Sequence, residues 1–163
     1  MQRLNAMVLR TQEYLNNTYT GNPYWIRLDE NGKTGWSTIR GLIRALQIEV
    51  GIPTPNGTFR PATEEKCPTL KKDFNPTEKI KRLVYILQGA MWCKGFSPGG
   101  LTGTFGDGTE AGVKRFQTSP GLAGTEVNGI TSPMIFKALL SRDCKRLTNI
   151  IWVINSDVCF IYI

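Results

Sequence analysis

The chain has 163 residues, with 20 Lys or Arg against 13 Asp or Glu for a formal net charge of +7, and it contains no histidine. That length suits one ordinary domain or two small ones, and it needs neither a disulfide nor a metal to fold. Without histidine there can be no Ser-His-Asp or Cys-His catalytic pair and no histidine-ligated zinc, so any chemistry would fall to carboxylates, Lys, Tyr or Cys.

In chain order, the first predicted helix covers about 4–16, with Leu4, Val8 and Leu15 apolar. Residues 1–15 lack an uninterrupted apolar core, so no signal peptide is expected. A long loop, 18–35, precedes the clearest helix, 37–50, where Ile39, Leu42, Ile43, Leu46 and Val50 form one buried stripe. Ser37 is its expected N-cap and Gly51 its stop. A short helix follows Pro61 and ends at Pro68, and the polar, Pro-bounded stretch 67–76 reads as a linker. The next helix, 77–93, aligns Ile80, Leu83, Val84, Leu87 and Met91. A further helix, 108–118, buries Val113 and Phe116, with Asp107 and Glu110 spaced as a capping box. Ser132-Pro133 opens the last helix as N-cap and first-turn proline, with Ile135, Phe136 and Leu139 buried. The apolar tail 150–163 is interrupted by Asn155, Ser156 and Asp157 and is too short to span a bilayer. The tail, 142–163, has no repeat feature and is expected to lie outside the module. Nothing alternates with period two, so the fold class is all-α.

The helices occur twice in the same order. Gln47 precedes Gly51-Ile52 as Gln117 precedes Gly121-Leu122, and Asn56-Gly57 precedes Pro61 as Asn128-Gly129 precedes Pro133. Upstream, Gly32 and Gly35 match Gly103 and Gly106, and Gln12 with Leu15 matches Gln88 with Met91. The chain is a tandem repeat: a first, degenerate unit at 1–66, a linker at 67–76, a second unit at 77–141 and a tail at 142–163.

Gln12, Gln47, Gln88 and Gln117 sit beside apolar faces, where a buried amide requires partners; each is expected to tie a neighbouring loop to its helix. Gly32, Gly35, Gly57, Gly103, Gly106 and Gly129 are expected where positive φ or close backbone approach is needed. Tyr24, Trp25, Trp36, Trp92 and Phe96 lie on or near loops, where an aromatic face could hold a sugar ring; Trp36, at a helix mouth, is the leading single candidate. Charge is uneven, with 8 basic and 6 acidic residues in 1–66 but 12 and 6 in 67–146. Lys71, Lys72, Lys79, Lys81 and Arg82 flank the start of the second unit, a solvated face that would also attract an anionic polymer. Cys67, Cys93, Cys144 and Cys159 form no CxxC and are expected as reduced, mostly core residues.

The run Gly103–Thr109 (Gly-Thr-Phe-Gly-Asp-Gly-Thr), Val113 with Phe116-Gln117, Gly121-Leu122 and Asn128-Gly129 resembles the peptidoglycan-binding domain of the three-helix type. The first unit shows the same marks more weakly, through Asn31-Gly32, Leu46-Gln47, Gly51-Ile52 and the segment Asn56–Thr63. The resemblance covers about 7–141 and is similar to tandem modules that accompany glycoside-hydrolase-like domains in Gram-positive bacterial and phage wall proteins. It implies two three-helix bundles and non-catalytic binding of peptidoglycan or a related wall polymer, targeting a wall-acting domain or partner. It also implies location at the cell wall or outside the cell, and neither cofactor, metal nor membrane partner. The ligand groove it implies is lined by loops 30–37, 53–60, 99–108 and 123–131, with Trp36, Asn56, Phe59, Trp92, Phe105, Asp107 and Asn128 as binding residues. Gln12, Gln47, Gln88, Gln117, Gly35, Gly57, Gly106 and Gly129 are structural marks of the repeat. Two other functions are weighed. A wall hydrolase would need paired carboxylates, for which Asp29 with Glu30 or Asp107 with Glu110 are candidates. A nucleic-acid binder would use Arg40 and Arg44 on the helix 37–50.

Overall fold

The computed structural model describes residues 5–72, 76–122 and 124–141. The tail and its Cys144 and Cys159 lie outside these residues. The helices are α1 (Ala6–Tyr19), α2 (Trp36–Glu49), α3 (Pro61–Lys66), α4 (Glu78–Lys94), α5 (Asp107–Gln117) and α6 (Pro133–Leu139), with a 3-10 turn at Pro120–Leu122. Among the described residues there is no strand. One antiparallel bridge joins the linker to the last loop: Leu70 N–H donates to the Thr131 carbonyl (2.9 Å) and Thr131 N–H to that of Leu70 (2.8 Å).

Helix starts divide between local side-chain caps, at α1, α4 and α6, and starts without one, at α2, α3 and α5. The first helix begins later than its apolar pattern predicts, at Ala6, because the Asn5 side chain accepts from the N–H groups of Met7 and Val8, and it runs on to Tyr19. Ser37 is not the N-cap of α2; Gly35 is, in extended backbone and without a side-chain cap. The Asp107/Glu110 capping box does not form either, since α5 starts from Gly106. Asp107 instead pairs with Lys72, and Glu110 with Lys114 at 2.6 Å. Ser132 caps α6 as the sequence predicts, and Thr77, expected as the first residue of its helix, is instead the N-cap of α4.

The apolar stripes meet in one core, with Val8, Leu15, Leu42, Leu46, Leu83, Leu87, Met91, Phe136 and Leu139 fully buried. The longest helix, α4, packs most heavily on α2 and α1, and also on α6, while α3 packs on α6. Both halves of the repeat therefore share apolar contacts, and the Lys137–Glu64 ion pair (2.8 Å) adds a polar one. Cys67 and Cys93 are buried thiols. Burial, reinforced by the nearby Glu64 carboxylate, pushes the Cys67 thiol up to about 12.

Candidate functional site

The loops that would face a ligand are held by one device used four times. The Gln12 amide oxygen accepts from the N–H groups of Asn31 (3.0 Å) and Gly32 (2.8 Å), and its nitrogen faces Asn31 Oδ1, the Lys33 carbonyl and Thr38 Oγ1. Gln47 does the same to Asn56, Gly57, the Thr58 carbonyl and Thr63. Gln88 does it to Thr102, Gly103, the Thr104 carbonyl and Thr109. Gln117 repeats it on Asn128, Gly129 and the Ile130 carbonyl, but Ile135 stands where the other three have a threonine. All four glutamines are at most 4% exposed. Each amide thus satisfies a turn's backbone groups that burial would otherwise leave unpaired.

The clamp explains the turn glycines. Gly32, Gly57, Gly103 and Gly129 have φ between 62° and 74°, and a Cβ at Gly57 would stand 2.9 Å from the Arg40 carbonyl oxygen. Gly35 and Gly106 were expected to share that requirement and do not. Both are helix N-caps with negative φ, and nothing lies within 4 Å of a Cβ built on Gly106. The threonines Thr38, Thr63 and Thr109 were missed by sequence reasoning. Their signal was present, because each stands seven residues after the residue that opens its turn (Asn31, Asn56, Thr102).

Of the candidate binding residues, Asn128 lines a cleft, and Asp107 reaches it only through Lys72. Lys71, Lys72, Glu110, Asn128, Gly129 and Ile130 line this small cleft of about 170 Å³ between the linker, α5 and the fourth turn. Lys72 reaches Asp107, which raises the lysine's pKa and lowers that of the carboxylate through their hydrogen bond and mutual charge. Lys71 is exposed at the rim and forms no ion pair among the described residues. The cleft can hold an acidic group against its lysines, of which Lys72 is already paired with Asp107, while the Asn128 side chain is held in place by Gln117, the Ile130 N–H and Glu126.

The remaining candidates lie elsewhere. Asn56 is exposed on the equivalent turn of the first half. Trp36 and Phe59 are half-buried and pack on the core. Trp92 is also half-buried, its indole N–H donating to the Gly100 carbonyl (3.3 Å). Phe105 is only 4% exposed and presents no face to a ligand, because the third clamp folds its loop inward. Arg44, offered by the nucleic-acid reading, is 6% exposed and turns with Arg40 onto the Asn56 carbonyl. Three of the four carboxylates of the hydrolase reading are engaged too: Glu30 pairs with Arg27 (2.8 Å) and accepts from Asn16, and both carboxylates of the second pair are bound to lysines, while Asp29 is exposed. No group of metal-ligating side chains occurs among the described residues, and none of their helices is long and apolar enough to cross a membrane.

The third and fourth turns, the helices that follow them and the Glu110–Ile130 side of the cleft fall within one recognisable segment, while Lys71 and Lys72 precede it. Residues 82–139 match the family model described as "Putative peptidoglycan binding domain". The match begins within α4 and ends at the last residue of α6, taking in the third and fourth clamps. By that description the matched family is one of peptidoglycan-binding domains. Most of the chain is also similar to two Bacillus subtilis (strain 168) proteins. It is 46% identical over 146 residues to "Uncharacterized protein FadG", covering 90% of this chain and 25% of that protein. It is 47% identical over 146 residues to "Uncharacterized protein YbfG", covering 90% of this chain and 20% of that protein. The chain thus spans a quarter or less of the curated relatives it matches. No solved structure matches.

Proposed function

We propose that the chain is a non-catalytic wall-binding module built from two three-helix units, a degenerate first one at 1–66 and a second at 77–141, joined by the linker 67–76. It holds an associated wall-acting domain or partner against peptidoglycan at the cell wall or outside the cell. The observation that carries this reading is the family match over 82–139, whose fourth turn lines one side of a cleft that the linker lysines Lys71 and Lys72 complete. Peptidoglycan stem peptides carry carboxylates, and Lys71 and Lys72 supply the complementary charge beside the Asn128 amide. Exposed charge pairs of this kind are weak and salt-screened, so the affinity of one cleft is modest, and a second unit adds avidity without new contacts.

Co-sedimentation with purified sacculi tests the reading. The protein is expected in the pellet at low and moderate salt, and Lys71→Ala with Lys72→Ala is expected to weaken binding about tenfold, the equivalent of one charge-assisted contact. Wild-type protein that stays in the supernatant refutes wall binding; a double variant that pellets like wild type removes the cleft from it.

A further inference from the structure

We infer that the junction between the two halves holds a second binding site, one that takes a neutral sugar ring of a glycan strand. The cavity, about 380 Å³, lies where the C-terminal ends of α1 and α2 meet the first turns of α4, and its lining includes Thr18, Tyr19, Asn22, Glu49 and Arg82. It is the larger of the two clefts described and shares no residue with the lysine-rimmed one. The inference rests on the wall-binding reading and adds to it where, and by which chemistry, the glycan would be held.

The polar groups there are fixed and paired in sign. The Glu49 side chain is 8% exposed, and its Oε1 accepts from both Arg82 Nε (2.8 Å) and the Tyr19 hydroxyl (2.9 Å). Burial and the adjoining carboxylate hold that hydroxyl protonated well above the ordinary tyrosine range. One carboxylate and one guanidinium cancel, so the cavity has little attraction for a charged ligand such as a phosphodiester chain. Glu49 Oε2 and the Arg82 terminal nitrogens have no hydrogen bond among the described residues, and neither does Asn22 Nδ2, whose Oδ1 takes the Tyr24 N–H (2.9 Å). Acceptor and donors side by side match adjacent hydroxyl and amide groups, each of which must find a partner when water is displaced. The loop that supplies Gly21 and Asn22 to the lining continues into two aromatic residues beside it: Trp25 lies against the lining Tyr19 with ring centroids 5.3 Å apart, and Tyr24 is 44% exposed. A sugar has apolar ring faces and polar edges, and a cavity of this size admits one ring.

Because Arg82 comes from α4 and the other named groups from the first half, the site exists only when the halves are docked. The test is a chemical-shift titration of the 15N-labelled full chain with tetra-N-acetylchitotetraose, alongside sacculus co-sedimentation. Shifts are expected at 18–22, 48–49 and 82 and at the Trp25 indole. Asn22→Ala and Glu49→Gln are each expected to weaken the sugar about tenfold, the loss of roughly one hydrogen bond. Asn22→Ala, on the surface loop, keeps the test valid if Glu49→Gln unfolds. The inference is overturned if wild type pellets with sacculi but the sugar shifts none of these residues, shifts only those around Lys71 and Lys72, or binds Asn22→Ala unchanged. Wild type that fails to pellet defeats the wall-binding reading instead, by a separate measurement.

Discussion

Gln47 occupies a position where no other side chain serves as well. Its amide oxygen meets two adjacent N–H groups while its nitrogen meets a carbonyl and a hydroxyl, and only an amide both accepts and donates at that reach. Removing such an amide leaves several buried backbone groups unpaired, each costing about 1–3 kcal/mol before relaxation. The fourth clamp lacks the threonine partner, which ranks the sites: Gln88→Leu is expected to destabilise by about 3 kcal/mol and Gln117→Leu by about 2 kcal/mol in urea unfolding. Equal losses would show that the threonine hydroxyl adds nothing. The turn glycines give a second contrast. Gly57→Ala meets both the left-handed penalty of about 1–2 kcal/mol and the Arg40 carbonyl, so about 2–3 kcal/mol is expected. Gly106→Ser, at an extended N-cap, is expected to be neutral or stabilising by a few tenths of a kcal/mol. Thermal melts of both variants decide whether the two glycine classes differ as their backbone angles say.

Most of the helices were legible in the sequence through an apolar stripe, but Val50 and Ile80 at the stripe ends are only half-buried, and α2 and α4 bury residues outside the stripes, Ala45, Ile86 and Ala90 among them. Their starts were less legible. Ser37 and the Asp107/Glu110 pair carry good local cap chemistry, yet α2 and α5 begin where Thr38 and Thr109 reach the preceding clamp. A contact from a glutamine 26 or 21 residues upstream outweighs a local cap, and sequence periodicity carries no trace of it. The cleft was half legible: Asp107 and Asn128 lie on repeat motifs, but only the Leu70–Thr131 bridge brings the linker lysines alongside. Close approach between α1 and α4 was not legible either. Gly89 is buried in α4, and a Cβ there would collide with Thr11 Cγ2 of α1 and stand 3.3 Å from Leu42. Thr11 cannot swing away freely because its hydroxyl donates to the Met7 carbonyl (2.8 Å). Gly89→Ala gains about 1 kcal/mol of helix propensity but is expected to lose more by overpacking, for a net cost of about 1 kcal/mol. Thr11→Ser deletes the obstructing methyl and keeps the hydroxyl, so the double variant is expected to recover stability. A cycle with coupling of about 1 kcal/mol or more supports this contact, and additive effects count against it.

At the scale of the molecule, the repeat read from the sequence predicts two bundles, whereas the packing makes the halves interdependent. Helix α4 opens the second half, yet its principal neighbours are α1 and α2 of the first. Leu83, Val84, Ile86, Leu87, Ala90 and Met91 are all buried, more of the α4 circumference than one three-helix unit covers. The Tyr14–Tyr85 stack (centroids 4.1 Å) and the Arg82–Glu49 pair cross the same boundary. A fragment of residues 77–141 would therefore expose apolar surface that the full chain buries, at a cost of about 25 cal/mol for each Å² returned to water. It would keep both of its glutamine clamps, so its loops retain their local anchors while its core loses a wall. The fragment is expected to melt at least about 10 °C below the full chain and to bind a hydrophobic dye that the full chain excludes, since a small domain shifts by about 4–8 °C per kcal/mol. Residues 1–66 added in trans are expected to restore part of the loss. A fragment that melts with the full chain's stability and excludes the dye would establish the halves as independent beads, and it would dissolve the junction cavity along with their interface.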